Sequence, residues 1–373
     1  MVSGDPISGD QYGGVEEHTD HLIAHLFDID QIDLQVLMFN NPGARTKHEN
    51  IHYLERLKGR GFLFPLFSLI YLNNILKNIH KYAPDVVHFQ GTFPLFCVAA
   101  LVAQRKYAAV LTVHGILMQE TMIKYEGNVV YSLLARMIEK YTFMKLDNLI
   151  VVSPPVQEII DKIRKKKTYV VPNGVEVDRI AGIEPIVLEQ EHAILYMGGL
   201  NERKGVHVLI EAVEMARHQI PDIHLLIAGA GSHEGKLKER VQGSGLGDNV
   251  TFLGFIRGDA RFSYLKAAKF LVLPSFWETL PIVVLEGMAC GKAIVGSRVG
   301  GIPFLVHDGE NGYLVQPGDA ASLARSMVAL LENDELLAGM GAESLKRVQE
   351  FRWEKIAGDT YSTYCRIVNA ENE

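Results

Sequence analysis

Apolar residues fall along this chain in short β-branched runs that alternate with longer segments of helical spacing. The run 270–273 has strand length, Pro274 and Ser275 break it, 282–289 resumes as an apolar segment that Gly291 can end, and 293–296 follows as the next strand. The same alternation extends in both directions. Strands are predicted at 34–39, 85–89, 109–113, 149–153, 193–197 and 250–256, and the apolar, glycine-ended run 224–231 precedes a helix. Helices are predicted at 17–27, 94–104, 234–241, 322–333, 335–351 and 353–368, and a helical region over 52–82 is expected to break or kink at Pro65. Strands that alternate with helices imply parallel sheets, which bind ligands beyond the carboxyl ends of their strands.

A chain of 373 residues exceeds one typical core, so two domains are expected. The turn dipeptide Asn173-Gly174 closes the first, and the mixed segment 178–191 suits an interdomain hinge. The opening Met1-Val2-Ser3-Gly4 leaves room for only two or three strand residues, which puts the N-terminal edge of the first sheet in question. The run 162–167, with five cations in six residues, reads most simply as a solvated helix end.

The chemistry is densest at 274–291. Thr279 is placed to cap a helix that has Pro281 in its first turn, and the amides of Leu280 and Ile282 then offer an anion a seat. Glu278 lies just before that seat and Glu286 five residues past Pro281, roughly 7.5 Å along a helix axis. Glu286 is the only charge between Glu278 and Lys292, in a run apolar enough to be buried. The plain alternative is one solvated helix face and a loop carboxylate favoured by the helix dipole.

The spacing E-x7-E within PSFWETLPIVVLEGMACG, followed by SRVGGIPFLVHDGENGYLV, resembles the donor site of the retaining GT-B glycosyltransferases, specifically glycosyltransferase family 4. The resemblance implies an α/β chain with GT-B architecture: two Rossmann-like domains with parallel sheets facing across a cleft. It implies an acceptor-binding domain at 1–177, a nucleotide-sugar domain at 178–352, and a terminal helix at 353–373 that returns to the first domain. It also implies that Glu278 contacts the donor sugar and Glu286 the ribose hydroxyls.

Other segments carry further roles by the same resemblance. Gly13 and Gly14 precede a helix as in the family's loop over the donor diphosphate, with Gly14 favoured. His114 fits the strand-end histidine beside the donor sugar, where an imidazole can donate to a hydroxyl or to developing charge. His88 reads as structural. In AILYMGGLNERKG, Gly198 and Gly199 follow a strand and Lys204 occupies the family's diphosphate lysine. Gly199 stands where the family has arginine, and Arg203 is the available substitute. Ile256 ends the strand expected to face the base.

The implied reaction is transfer of a hexose-type sugar from a nucleotide diphosphate sugar to an unidentified hydroxyl acceptor. Configuration would be retained, with no cofactor and no metal, and domain closure would exclude water. Rival readings are a nucleotide-sugar epimerase or a pyridoxal-dependent phosphorylase on the same fold, and a nucleotide-sugar-binding partner subunit without turnover. A nicotinamide dehydrogenase is disfavoured because Glu234 occupies the third glycine position after Gly229 and Gly231.

A net charge of −7 argues against nucleic acid as a partner. Cys97, Cys290 and Cys365 are widely spaced, which suits reduced thiols in a cytoplasmic protein. The sequence shows no secretory leader and no membrane-spanning run. The aromatic, basic-flanked segment 58–82 is either a core helix or a peripheral contact with the inner face of a membrane. Base, sugar, acceptor and oligomeric state are not legible.

Overall fold

The computed structural model describes residues 1–3, 14–39, 48–54, 64–116 and 129–371. The chain divides into two compact units, residues 1–174 with 353–373, and residues 175–352.

Unit 1 runs β1 (Val2–Ser3), α1 (Gly14–Phe27), β2 (Val36–Phe39), β3 (Ile51–Leu54), α2 (Phe64–Tyr82), β4 (Val86–Gln90), α3 (Pro94–Ala103), β5 (Ala108–Val113), α4 (Val129–Lys145), β6 (Asn148–Val151), α5 (Pro154–Asp161) and β7 (Thr168–Val170). These strands form one parallel sheet in the order β3-β2-β1-β4-β5-β6-β7. The short β1 is therefore interior, pairing with both β2 and β4, and is not a sheet edge.

Unit 2 follows with α6 (Val177–Ala181), β8 (His192–Met197), α7 (Val206–Ala216), β9 (Ile223–Ala228), α8 (Glu234–Gly243), β10 (Val250–Gly254), α9 (Ala260–Ala267), β11 (Phe270–Leu273), α10 (Ile282–Ala289), β12 (Ala293–Ser297), α11 (Ile302–Leu305), β13 (Gly312–Val315), α12 (Ala320–Leu331) and α13 (Asp334–Arg347). Its sheet is also parallel, ordered β10-β9-β8-β11-β12-β13. The last helix, α14 (Trp353–Glu371), belongs to unit 1. The two halves are each Rossmann-like, and strands such as β5, β6, β9, β11 and β12 are buried along their whole length, as a sheet covered on both faces requires, while the edge strands β3, β7, β10 and β13 are more open.

Helix α14 supplies Trp353, Ile356, Ala357 and Ile367 to a core shared with Leu22, Ile23 and Leu26 of α1 and with the β2 and β5 side chains Val36, Met38 and Val110. Gly174 is required beside it, because a Cβ there would lie 2.4 Å from the Trp353 ring.

Several expectations need correction. The segment 52–82 is not one helical region, since 51–54 is a strand with both ends buried and its middle residues more open. Pro65 neither breaks nor kinks α2, because it falls in the first turn, where no intrahelical N–H is needed. Ile75 and Ile79 of α2 are in the core. Strand β10 stops at Gly254, whose φ of +69° turns the chain before Ile256. Within 162–167, Arg164 is buried, and its Nη2 donates to the carbonyls of Leu146, Asp147 and Lys167 at 3.1, 2.8 and 3.0 Å. Burial pulls its guanidinium down to about 10. The lysines around it remain exposed.

Candidate functional site

Strand order in unit 2 reverses between β8 and β11, which lie side by side. Ligands of open parallel sheets bind at such a switch point. The loops leaving these two strands carry most of the predicted donor residues.

The loop after β8 is held from below. Gly198 N–H donates to Ala228 O and Leu200 N–H to Ala230 O, each at 3.0 Å. The Tyr196 hydroxyl donates to Gly199 O at 2.9 Å, and burial, then the nearby Glu278 charge, pushes this phenol upward and keeps it a donor. A single 3-10 turn at 202–204 follows, and Gly205 launches α7 from a left-handed φ of +67°. A Cβ at that position would lie 2.1 Å from Pro274 O, so this turn sits directly on the loop after β11. Phe276 N–H donates to Arg203 O at 2.8 Å, and Arg203 Nη1 donates to Trp277 O at 3.1 Å. Arg203 thus spends its reach on stitching two loops together.

That stitching delivers Lys204 to Glu278. Lys204 Nζ donates to Glu278 Oε1 at 2.6 Å, and Ser275 Oγ donates to the same oxygen at 2.7 Å. Glu278 is only 5% exposed. Its backbone is fixed from behind by Gly301 N–H on Glu278 O at 3.0 Å. A Cβ at Gly300 would sit 1.6 Å from Glu278 O, and one at Gly301 2.0 Å from Thr279 O. A buried carboxylate stays charged only with such partners.

Thr279 does not cap α10. The helix starts at Ile282 with Pro281 at its N-cap in extended geometry and no side-chain cap. The physical reason is Pro281 itself, which keeps Leu280 out of the helical region and delays the first turn. Thr279 is half-buried, Leu280 and Pro281 are buried, and Ile256 is half-buried in the loop after β10.

Glu286 is also 5% exposed and lies in α10. Its Oε1 meets Arg261 Nη2 of α9 at 2.8 Å. Gly287 lets α10 sit low on the sheet, since a Cβ there would approach Leu271 and Ile294 side chains at 2.9 and 3.0 Å. The neighbouring Cys290 thiol is pushed up to about 12, chiefly by burial and then by the Glu286 charge, so it is inert at neutral pH.

The corresponding layer of unit 1 is built from neutral groups. Adjacent strands β4 and β5 end in Gln90 and Val113, and His114 Nε2 lies 2.8 Å from Gln90 Oε1. Gln90 Nε2 lies 3.3 Å from His88 Nε2, which the Thr112 hydroxyl also meets at 2.6 Å, while His88 Nδ1 lies 2.6 Å from Tyr364 Oη. These contacts are mutually consistent when Gln90 and Thr112 donate to His88 Nε2, His88 Nδ1–H donates to Tyr364, and His114 Nε2–H donates to Gln90. His18 of α1 packs edge-on against His114 at 4.5 Å and against Trp353 at 5.0 Å. Burial, aided by neighbouring positive centres, holds the His18 and His88 rings well below 6.5.

In this arrangement the proton-bearing nitrogen of His114 faces Gln90, so a donor role toward ligand from Nε2 would require breaking that bond. Gly14 opens α1, while Gly13 lies outside the described residues. Sequence reasoning missed Arg261, Ser275, Gly300, Gly301, Gln90, His18 and Tyr364. Gly300 and Gly301 stood inside the family-like segment SRVGGIPFLVHDGENGYLV, Gln90 followed a predicted strand end, and HTDHLIAH places His18, His21 and His25 on one helix face.

Among the described residues, the Trp277 indole N–H and the Asn201 amide oxygen are buried without a hydrogen-bond partner. Both lie on the loops that carry Lys204 and Glu278. Groups left this way are uncommon in folded proteins and concentrate where function requires them.

Comparison with known proteins points the same way. Residues 183–347 match the family model described as glycosyl transferases group 1, and residues 12–179 match glycosyltransferase family 4. An uncharacterized glycosyltransferase of Methanocaldococcus jannaschii is 28% identical over 350 residues, covering 92% of each chain. The phosphatidyl-myo-inositol mannosyltransferase of Mycobacterium tuberculosis is 33% identical over 208 residues, covering 54% of each. The structure resembles sucrose-phosphate synthase from Thermosynechococcus elongatus with TM-score 0.78 and 25% identity, over 99% of this chain and 98% of that one. It resembles Anabaena HepE, solved in complex with UDP and glucose, with TM-score 0.74 and 20% identity over 97% of both chains.

Proposed function

The chain belongs to the family 4 glycosyltransferases of GT-B fold, and from that premise we propose that it moves a hexose-type sugar from a nucleotide diphosphate sugar to a hydroxyl acceptor with retention of configuration. The observation that carries this reading is the buried Lys204–Glu278–Ser275 group at the unit 2 switch point, with Glu286 held on the adjoining helix.

Lys204 is the cation of this group. It is held on Glu278 in this structure, and in the proposed reaction it turns to the donor diphosphate, where its charge stabilises the departing oxygens. The amino end of α10, now starting at Ile282, adds partial positive charge to the same seat. The leaving diphosphate departs with the bonding electron pair and takes up the acceptor's proton on the same face, so neither a metal nor a cofactor is called for. Glu278, relieved of Lys204, accepts from the sugar hydroxyls, and Ser275 keeps its carboxylate aimed. Glu286 accepts from the ribose hydroxyls while Arg261 fixes its direction. Gly199 leaves Lys204 without the family's arginine, and Arg203 does not replace it, being committed to Trp277.

Unit 1 takes the acceptor in this reading. Its His114–Gln90–His88 chain presents neutral polar groups, suited to an uncharged hydroxyl.

A thermal-shift panel of UDP-, GDP- and ADP-hexoses on wild type and on Glu286→Ala tests the proposal. Because HepE is solved with UDP-glucose, uridine donors come first. One donor should raise the wild-type melting temperature by several degrees and leave the variant unmoved. If no nucleotide moves the wild type, the reading is wrong.

A further inference from the structure

Helix α4 has an apolar exposed side as well as an apolar buried one. Ala135, Phe143 and Leu146, just past its end, are buried, while Leu133, Leu134, Met137, Tyr141 and Met144 are exposed, Met137 by 67%. The exposed five fall at helical spacing and span roughly 16 Å at 1.5 Å per residue. The one carboxylate of the helix, Glu139, is fully buried, and Lys140 and Lys145 are exposed.

The carboxy-terminal end of α4 is a meeting point of cations. Lys166 Nζ donates to Lys145 O and to Asp147 Oδ1, both at 2.6 Å, which brings in the exposed Lys165 and Lys167. Asp147 N–H donates to Gln104 Oε1 at 3.1 Å, which places the exposed Arg105 and Lys106 at the same end. The nearby carboxylates are Asp147, paired with Lys166, Asp161, which accepts from Thr168 Oγ1 at 2.9 Å, and the exposed Glu158. In a chain of net charge −7, this is a local reversal of sign.

We propose that this face of α4 docks the protein onto an anionic lipid surface. The five apolar side chains enter the acyl boundary, Lys140 extends along the helix to the headgroups, and the lysine cluster binds lipid phosphates. A second copy of the chain fits less well, because nothing on the apolar face itself offers the carboxylates that the lysine cluster at its end would need, and a parallel two-fold pairing would set the two clusters against each other. The surface differs from the segment 58–82, whose helix α2 gives Ile75 and Ile79 to the core. The inference does not depend on the glycosyl-transfer reading.

The test is flotation of the full chain with vesicles of phosphatidylcholine alone or mixed with phosphatidylglycerol. Wild type should float with the mixed vesicles at least about tenfold better, with binding falling as salt rises. Met137→Gln with Tyr141→Gln should reduce flotation about tenfold at unchanged melting temperature. Lys145→Gln with Lys165→Gln and Lys167→Gln should make the two vesicle types equivalent. The proposal is overturned if wild type floats with neither, or if both sets of substitutions leave flotation unchanged. It is equally overturned if sedimentation shows a dimer that Met137→Gln with Tyr141→Gln splits while vesicles are ignored.

Discussion

The two Rossmann-like halves finish their sheets in opposite ways. At the strand ends of unit 2, buried carboxylates are each held by a cation, Glu278 by Lys204 and Glu286 by Arg261. At the strand ends of unit 1, imidazoles and an amide are joined through neutral hydrogen bonds, and burial disfavours protonation of His18 and His88. In the proposed reading charge pairs suit the half that would receive an anionic diphosphate, because an incoming phosphate can exchange for a carboxylate on the same cation. In the same reading a neutral chain suits a half that would take a hydroxyl acceptor, since it offers donors and acceptors without a strong field.

The sharpest way to break this comparison is Glu278→Gln. The amide keeps the shape but leaves Lys204 without its counter-charge in a buried site, and the proposed sugar contact is weakened. We expect kcat to fall by about a thousandfold, some 4 kcal/mol of barrier, measured by nucleoside diphosphate release once the donor is known. A kcat within tenfold of wild type would mean that the pair is architecture alone.

Gly300→Ala probes the same carboxylate through its backbone. The added Cβ meets Glu278 O at 1.6 Å and requires φ of +49°, so unit 2 should lose about 3 kcal/mol in chemical denaturation. An unchanged unfolding midpoint would show that the two loops can separate freely.

Arg261→Ala separates holding from touching. Glu286 loses the cation that fixes its direction, so donor KM should rise about tenfold with kcat nearly constant, and Arg261→Lys should recover part of the loss. Equal losses in both parameters would place Arg261 at the reacting atoms instead.

The smallest effect is on the neutral side. For His18 and His88 the folded rings bind protons less readily than the ordinary value of 6.5 in the unfolded chain. Below that pH the unfolded state takes up protons that the native state refuses. Their contribution is therefore complete above about pH 6.5 and declines as pH falls toward the folded values, by up to about 1.4 kcal/mol per pH unit for each. Urea midpoints at pH 7.5 and 5.5 should differ in this direction, and His18→Gln should flatten the slope. A pH-independent midpoint would mean that the rings take up protons in the fold as readily as in the unfolded chain.

The sequence determined the parallel α/β class, the positions of β11, α10 and β12, and the presence of two acidic side chains in an otherwise apolar run. It could do so because these features are local: a strand, a proline turn and a short helix lie within twenty-eight residues, 270–297. Lys204 and Glu278 were legible one at a time, by family resemblance. Their contact was not, because it spans 74 positions and arises only when β8 and β11 become neighbours at the switch point.

Arg261 had no signal at all, and Gln90 had only its place in the strand end His88-Phe89-Gln90-Gly91. Each is an ordinary surface-type residue until α9 is packed beside α10, or β4 is paired with β5. Arg203 and Arg164 show the converse, since both read as cations available to a ligand or to solvent, and the fold assigns both to backbone carbonyls. Thr279 failed for a local reason: Pro281 constrains the residue before it, so the helix starts two positions later than the capping pattern suggested. What a side chain is made of is written in the chain, but which group it faces is set by strand order and loop packing.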